Sequence, residues 1–163
     1  MDKKQQEIFL AAGCFWGVEY YLRKLNGVIE TKVGYCGGDT KNPKYKEVCT
    51  GDTGHLEVVK VIYDVTKLST QELLKFFFEI HDFCQTDGQG PDIGSQYLSA
   101  IFYTNEEQRK NAIDTINLLS AMHYNVSTQV KQFIEFWCAE DYHQEYYSKN
   151  NQTPYCHSRK KIF

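Results

Sequence analysis

Glu7-Ile8-Phe9-Leu10-Ala11-Ala12-Gly13-Cys14-Phe15-Trp16-Gly17 is the stretch on which the fold turns. The apolar run through Ala12 has the length and composition of a buried strand. Val18, Tyr21, Leu22 and Leu25 then recur at helical spacing, and Asn26-Gly27 closes the pattern. Cys14 therefore falls at the junction of a strand and a helix, between two glycines. Backbone amides at a helix N-terminus are unpaired, and the helix dipole there favours an anion. Thiolate is the reactive form of cysteine, so this placement suits a nucleophile. A buried structural cysteine and a lipid-attachment cysteine are the alternatives. The apolar run from Ile8 to Ala12 is too short for a signal h-region, and Gln5-Gln6-Glu7 before it is polar.

Working outward, Val28 to Tyr35 reads as a second strand, ending at Gly37-Gly38. Asp39 to Asp52 is a polar loop containing Asn42-Pro43-Lys44-Tyr45. His55 to Asp64 is a third strand, followed by a helix opened by a Ser69/Glu72 capping box. A glycine-rich loop spans Cys84 to Gly94, and a fourth strand spans Tyr97 to Tyr103. A Thr104/Glu107 capping box opens a helix to about Met122. Thr128 to Trp137 alternates as a fifth strand, and Ala139 to Lys149 reads as a short helix. The order begins β-α-β-β-α-β. It predicts an α/β (α+β) chain, a ferredoxin-like sandwich with an added helix and strand and an irregular C-terminal tail. Strands one and three are central neighbours in that layout, which brings Cys14 near Glu57.

The 163 residues suit one catalytic domain, with 150–163 as the tail. A chain of this size buries roughly 70% of its unfolded surface, so no disulfide staple is required. The net charge of −3 and the single basic cluster, Arg159-Lys160-Lys161, argue against nucleic acid. No apolar run approaches a membrane span. The expected setting is cytoplasmic, with the six cysteines mostly reduced. They form no C-x-x-C pair, and His81-Asp82 and Cys156-His157 lack zinc-site partners, so no metal is expected. A monomer is expected.

Glu57 shares a strand face with Val59, Val61 and Tyr63. A carboxylate on an apolar face is desolvated, which favours the neutral acid and makes a proton donor; the alternative is a solvated charge at an exposed strand end. Tyr45, Asp92 and Tyr97 sit in glycine- or proline-containing loops, where structural and functional roles both occur. Cys156 lies in the polar tail, so it is the cysteine least suited to a core and suits a resolving thiol. Cys36 and Cys84, also in loops, remain open as alternatives. His55 bonds to backbone or orients a partner. It is the one nearby base that a cysteine hydrolase could use.

Several ordered motifs resemble the class A peptide-methionine (S)-sulfoxide reductases. They are Gly13-Cys14-Phe15-Trp16-Gly17, Gly34-Tyr35-Cys36-Gly37-Gly38, Asn42-Pro43-Lys44-Tyr45, Thr50-Gly51-Asp52-Thr53-Gly54-His55-Leu56-Glu57 and Gly90-Pro91-Asp92-Ile93-Gly94-Ser95-Gln96-Tyr97. Ala139-Glu140-Asp141-Tyr142-His143-Gln144 also matches. The resemblance implies Cys14 as nucleophile, Glu57 as acid, and Tyr45 and Tyr97 as phenols bonding the sulfoxide oxygen. It implies Phe15 and Trp16 as a cup for the substrate methyl, Asp92 in the polar network and Cys156 as the resolving thiol. It further implies no bound cofactor. The external reductant would be thioredoxin (dithiothreitol in vitro), and the substrates free methionine (S)-sulfoxide or oxidised proteins.

A helix end contributes about 0.3–1 kcal/mol, under ~0.7 pKa unit, which leaves only roughly a tenth of such a thiol ionised at pH 7. Most of the activation must therefore come from the protonated substrate. Leu98, and Phe83-Cys84 after His81-Asp82, depart from the family pattern beside the site loop. The tail carries one cysteine with no glycine after it.

Overall fold

A computed structural model describes residues 4–154 and 157–163. β1 (Gln5–Ala12) lies inside a mixed six-stranded sheet and is paired on both edges. On one side is β3 (Leu56–Asp64), antiparallel, with Leu10 opposite Val59. On the other is β6 (Ser99–Tyr103), also antiparallel, with Ala12 opposite Ser99. β2 (Val28–Cys36) flanks β3, so β1 and β3 are central neighbours. Double pairing explains the unbroken apolar run of β1. Ile8, Leu10 and Ala12 face one core, while Phe9 and Ala11 face the other.

The first core lies under the helices α1 (Phe15–Leu22), α3 (Thr70–Glu79) and α4 (Glu106–Ala121). α3 starts where Ser69 Oγ accepts the Glu72 amide at 3.1 Å. α4 is capped one residue later than the sequence suggests. Asn105 Oδ1 takes the Gln108 amide at 2.9 Å, because Thr104 Oγ1 is engaged with Glu7 O at 2.8 Å. Two expected loops contain short elements: α2 (Tyr45–Cys49), and the hairpin β4 (Gly88–Gln89) with β5 (Asp92–Ile93).

The single strand expected over 128–137 is two strands at opposite edges of the sheet. β7 (Gln129–Gln132) runs parallel to β6, and β8 (Phe136–Cys138) runs antiparallel to β2. Between them the chain crosses the second apolar face, and Phe133 stacks on Phe9 at 4.0 Å. Ile134 is left 91% exposed, so the alternation does not persist through the crossing. The helix expected over 139–149 is likewise interrupted. A 3-10 turn at Asp141–His143 precedes α5 (Tyr146–Lys149). Gln144 interrupts it by mimicking a strand partner of β2: its Oε1 accepts from Val33 N at 2.8 Å and its Nε2 donates to Val33 O at 2.9 Å. The chain thus has an α/β fold with a mixed six-stranded sheet and, among the described residues, five α-helices. No helix among them is long and apolar enough to cross a membrane.

Candidate active site

The site begins at the end of β1. Gly13 has φ +93°, and a Cβ there would come 2.6 Å from Gln89 Cβ. Only glycine lets the chain turn here against the loop that carries β4. Cys14 is the N-cap of α1, its carbonyl accepting from the Gly17 and Val18 amides at 3.2 and 3.3 Å. It is 8% exposed. The next amide, of Phe15, donates to Glu57 Oε1 at 3.2 Å. A β3 side chain thereby meets the helix end that bears the cysteine.

Glu57 is 1% exposed, and its Oε2 has no hydrogen-bond partner among the described residues. Burial pushes its carboxyl well above the usual range, reinforced by Cys14 and Asp92 and only partly offset by the Phe15 amide. Oε1 must accept from that amide, so the acid proton belongs on Oε2. The strand pattern predicts this burial, and the solvated alternative does not hold.

Aromatic groups surround the pair. Trp16 stacks on Tyr146 at 3.9 Å and donates its indole N–H to His143 Nδ1 at 3.0 Å. Tyr45, at the start of α2, lies 4.5 Å from the His143 ring and 6.3 Å from both Phe15 and Trp16. Phe15 is fully buried, so it backs Tyr45 and Tyr35 from beneath. Tyr97 closes a 3-10 turn before β6. Burial pushes the Tyr45 and Tyr97 phenols far up, so both keep their protons. Asp92, on β5, has a buried Oδ2 without a hydrogen-bond partner among the described residues, and Glu57, Tyr97 and His157 all feel its charge.

The structure thus gathers Cys14, Phe15, Trp16, Tyr45, Glu57, Asp92 and Tyr97 around one helix end. Cys156 lies outside the described residues. Cys36 is 1% exposed on the opposite face of the sheet, and burial pushes its thiol far up. Cys84 is half-buried beside the Phe83–Tyr124 pair. Leu98 packs against the second apolar face. His55 has both ring nitrogens on backbone: Gly38 N donates to Nδ1 at 3.1 Å and Nε2 meets Thr40 O at 2.7 Å. That leaves no nitrogen for general-base work, which removes the hydrolase arrangement. Among the described residues no group of three or more His, Cys, Asp or Glu is placed to hold a metal.

The sequence pattern of the family described as peptide methionine sulfoxide reductase matches residues 6–163. The chain belongs to that family. The reductase is 46% identical over 151 residues to the peptide methionine sulfoxide reductase MsrA of Ruthia magnifica subsp. Calyptogena magnifica, covering 93% of this chain and 91% of that one. Its structure is similar to reduced Mxr1 from Saccharomyces cerevisiae, with TM-score 0.89 and 36% identity over 98% of this chain and 94% of that one. Mxr1 in complex with Trx2 shares the fold, with TM-score 0.64 and 23% identity over 98% and 93% of the two chains. The chain has peptide methionine sulfoxide reductase activity and is an oxidoreductase.

Residue-level reading of the reductase's sequence passed over two groups. Tyr35 is fully buried opposite Glu57 in the β2–β3 register, with its hydroxyl unbonded among the described residues. His143 holds the Trp16 indole, and burial lowers its pKa so that it stays neutral. Both lie in quoted motifs, but their closeness to the site arises from strand register and a 3-10 turn that local patterning does not encode.

Proposed function

We propose that this single catalytic domain reduces methionine (S)-sulfoxide, free or in proteins, with Cys14 as nucleophile and Glu57 as acid. The observation that carries the reading is the contact between the Phe15 amide and Glu57 Oε1 at 3.2 Å. It supports the reading by joining a buried carboxyl, whose pKa burial raises, to the helix end that bears the cysteine. Cys14 sulfur attacks the sulfoxide sulfur while Glu57 gives its proton to the oxygen, which is a poor leaving group until protonated. Tyr45 and Tyr97 hold that oxygen, Asp92 sustains the polar network, and Trp16 over Phe15 receives the methyl group. The sulfoxide sulfur gains two electrons and leaves as methionine. The S–S bond made in the attack and the substrate S–O bond both break as the protonated oxygen passes to Cys14, which loses two electrons and becomes a sulfenic acid.

Cys156 then condenses with the sulfenic acid to a disulfide. We assign its reduction to thioredoxin (dithiothreitol in vitro), as the Mxr1 complex with Trx2 suggests for that relative. The (S) preference rests on the motif resemblance. The strand order β6-β1-β3-β2 at the sheet centre supports a ferredoxin-like core. A monomer in the reducing cytoplasm completes the reading. The test is turnover of both sulfoxide epimers with dithiothreitol. Wild type should consume the S epimer, Cys14→Ser neither, and Glu57→Gln should be strongly slowed at neutral pH. Near wild-type turnover by Glu57→Gln would remove the acid role.

A further inference from the structure

The C-terminal segment is tied down immediately after residue 156. His157 is 5% exposed, and its Nε2 meets Ala12 O at 2.6 Å. A methyl group on Gly17 would come 2.4 Å from His157 Nδ1, so the ring fills the space that this glycine leaves. Tyr21 donates its hydroxyl to the His157 carbonyl at 3.2 Å. The ring is therefore wedged between the end of β1 and the first turn of α1, the segments on either side of Cys14.

Beyond His157 the tail converges on one carboxylate. Glu79, at the end of α3, is 4% exposed. Its Oε1 accepts from Arg159 Nε at 3.1 Å and Nη2 at 2.9 Å. Its Oε2 accepts from the Ile162 and Phe163 amides at 2.7 and 3.2 Å, and its carbonyl accepts from the Lys160 amide at 2.8 Å. A carboxylate so completely bonded is a strong anchor. By contrast, Asn150 to Thr153, ahead of the cysteine, are exposed.

We propose that Glu79 with Arg159, together with His157 on the Ala12 carbonyl, is a positioning device that delivers the Cys156 thiol to Cys14. The inference rests on the reading of Cys156 as the second thiol. Adjacent Cα atoms are about 3.8 Å apart, and a disulfide needs Cα atoms about 4.4–6.8 Å apart. His157 is held at the Cys14 turn, and residue 156 is one peptide bond away from it in the chain. Fixing the tail raises the effective concentration of its thiol there. In the step itself the Cys156 sulfur attacks the Cys14 sulfenic sulfur. An S–S bond forms, the S–O bond breaks, and the oxygen leaves as water with the thiol proton. Glu79, Arg159 and His157 act through Cys156 and touch no substrate.

The test separates the two chemical steps. Reduced protein is mixed with one equivalent of a peptide (S)-sulfoxide and no reductant, and methionine formation and thiol loss are followed separately. Glu79→Gln, and Arg159→Met as a variant that leaves the α3 carboxylate in place, should form methionine at the wild-type rate. Their thiol loss should slow by about tenfold or more, since small misplacements of reacting groups cost that much. Sulfenic acid trapped by dimedone should rise, and Arg159→Lys should restore part of the rate. In a Cys156→Ser background, Glu79→Gln should change neither step. Wild-type thiol loss in both variants, or equal slowing of both steps, would overturn the positioning role. Loss of two thiols by Cys156→Ser alone would instead overturn the underlying assignment of the second thiol.

Discussion

The Phe15 amide and Glu57 Oε1 are 3.2 Å apart, which joins the first residue of α1 to the third strand at the cysteine. Gln in place of Glu57 keeps the acceptor for this amide but has no acidic proton. We expect Glu57→Gln to lower kcat/KM for the sulfoxide by about 10²–10⁴ at pH 7, the usual contribution of a general acid. Steady-state kinetics with an oxidised peptide checks it.

Glu57 also links stability to pH. Its folded pKa is raised well above the ordinary carboxyl value by burial. A raised group contributes stability that is full below its unfolded pKa, near 4.3, and is lost as pH climbs through the folded value. Urea unfolding from pH 4 upward should show this decline in wild type. In Glu57→Gln the decline should be shallower, and the variant should be the more stable protein at the alkaline end.

The phenols should act together. Tyr45 and Tyr97 are both held protonated by burial. Removing one donor to a developing oxyanion typically costs about 10²–10³ in kcat. Tyr45→Phe and Tyr97→Phe should each fall by about 100-fold. The double variant should fall by less than the product, because the donors serve one oxygen.

Trp16→Phe tests the methyl-binding wall. It deletes the indole N–H that satisfies His143 Nδ1 at 3.0 Å, leaving a buried acceptor unpaired. Such a loss costs about 1–3 kcal/mol. Chemical denaturation should show that deficit, and KM for the sulfoxide should rise.

Much of this site follows from local pattern. The run into Cys14 reads as a buried strand because β1 is paired on both edges. Glu57 reads as an acid because its parity with Val59 and Val61 puts it on the buried face. Register and long-range bonds carry what local pattern omits. Tyr35 faces the site only because β2 pairs with β3 residue for residue at Glu57. The stretch 128–137 looks like one strand, yet Phe133 leaves that alternation to cover Phe9. The tail looks irregular because its order comes from Glu79, 80 residues before Arg159.

Gly13→Ala should be costly through the backbone as well as by contact. A side chain there faces φ +93° and a Cβ contact of 2.6 Å to Gln89. Strain of this kind costs about 1–3 kcal/mol. The urea midpoint should fall accordingly, and activity should fall with it as the turn that sets Cys14 shifts.

The most direct test of Cys14 as the reacting thiol is one reductant-free turnover. Reduced protein, mixed with an equivalent of peptide methionine (S)-sulfoxide, should yield one methionine per chain and a Cys14–Cys156 bridge on mass mapping, while Cys14→Ser yields no methionine. Methionine formed by Cys14→Ser, or a bridge that lacks Cys14, would contradict the account.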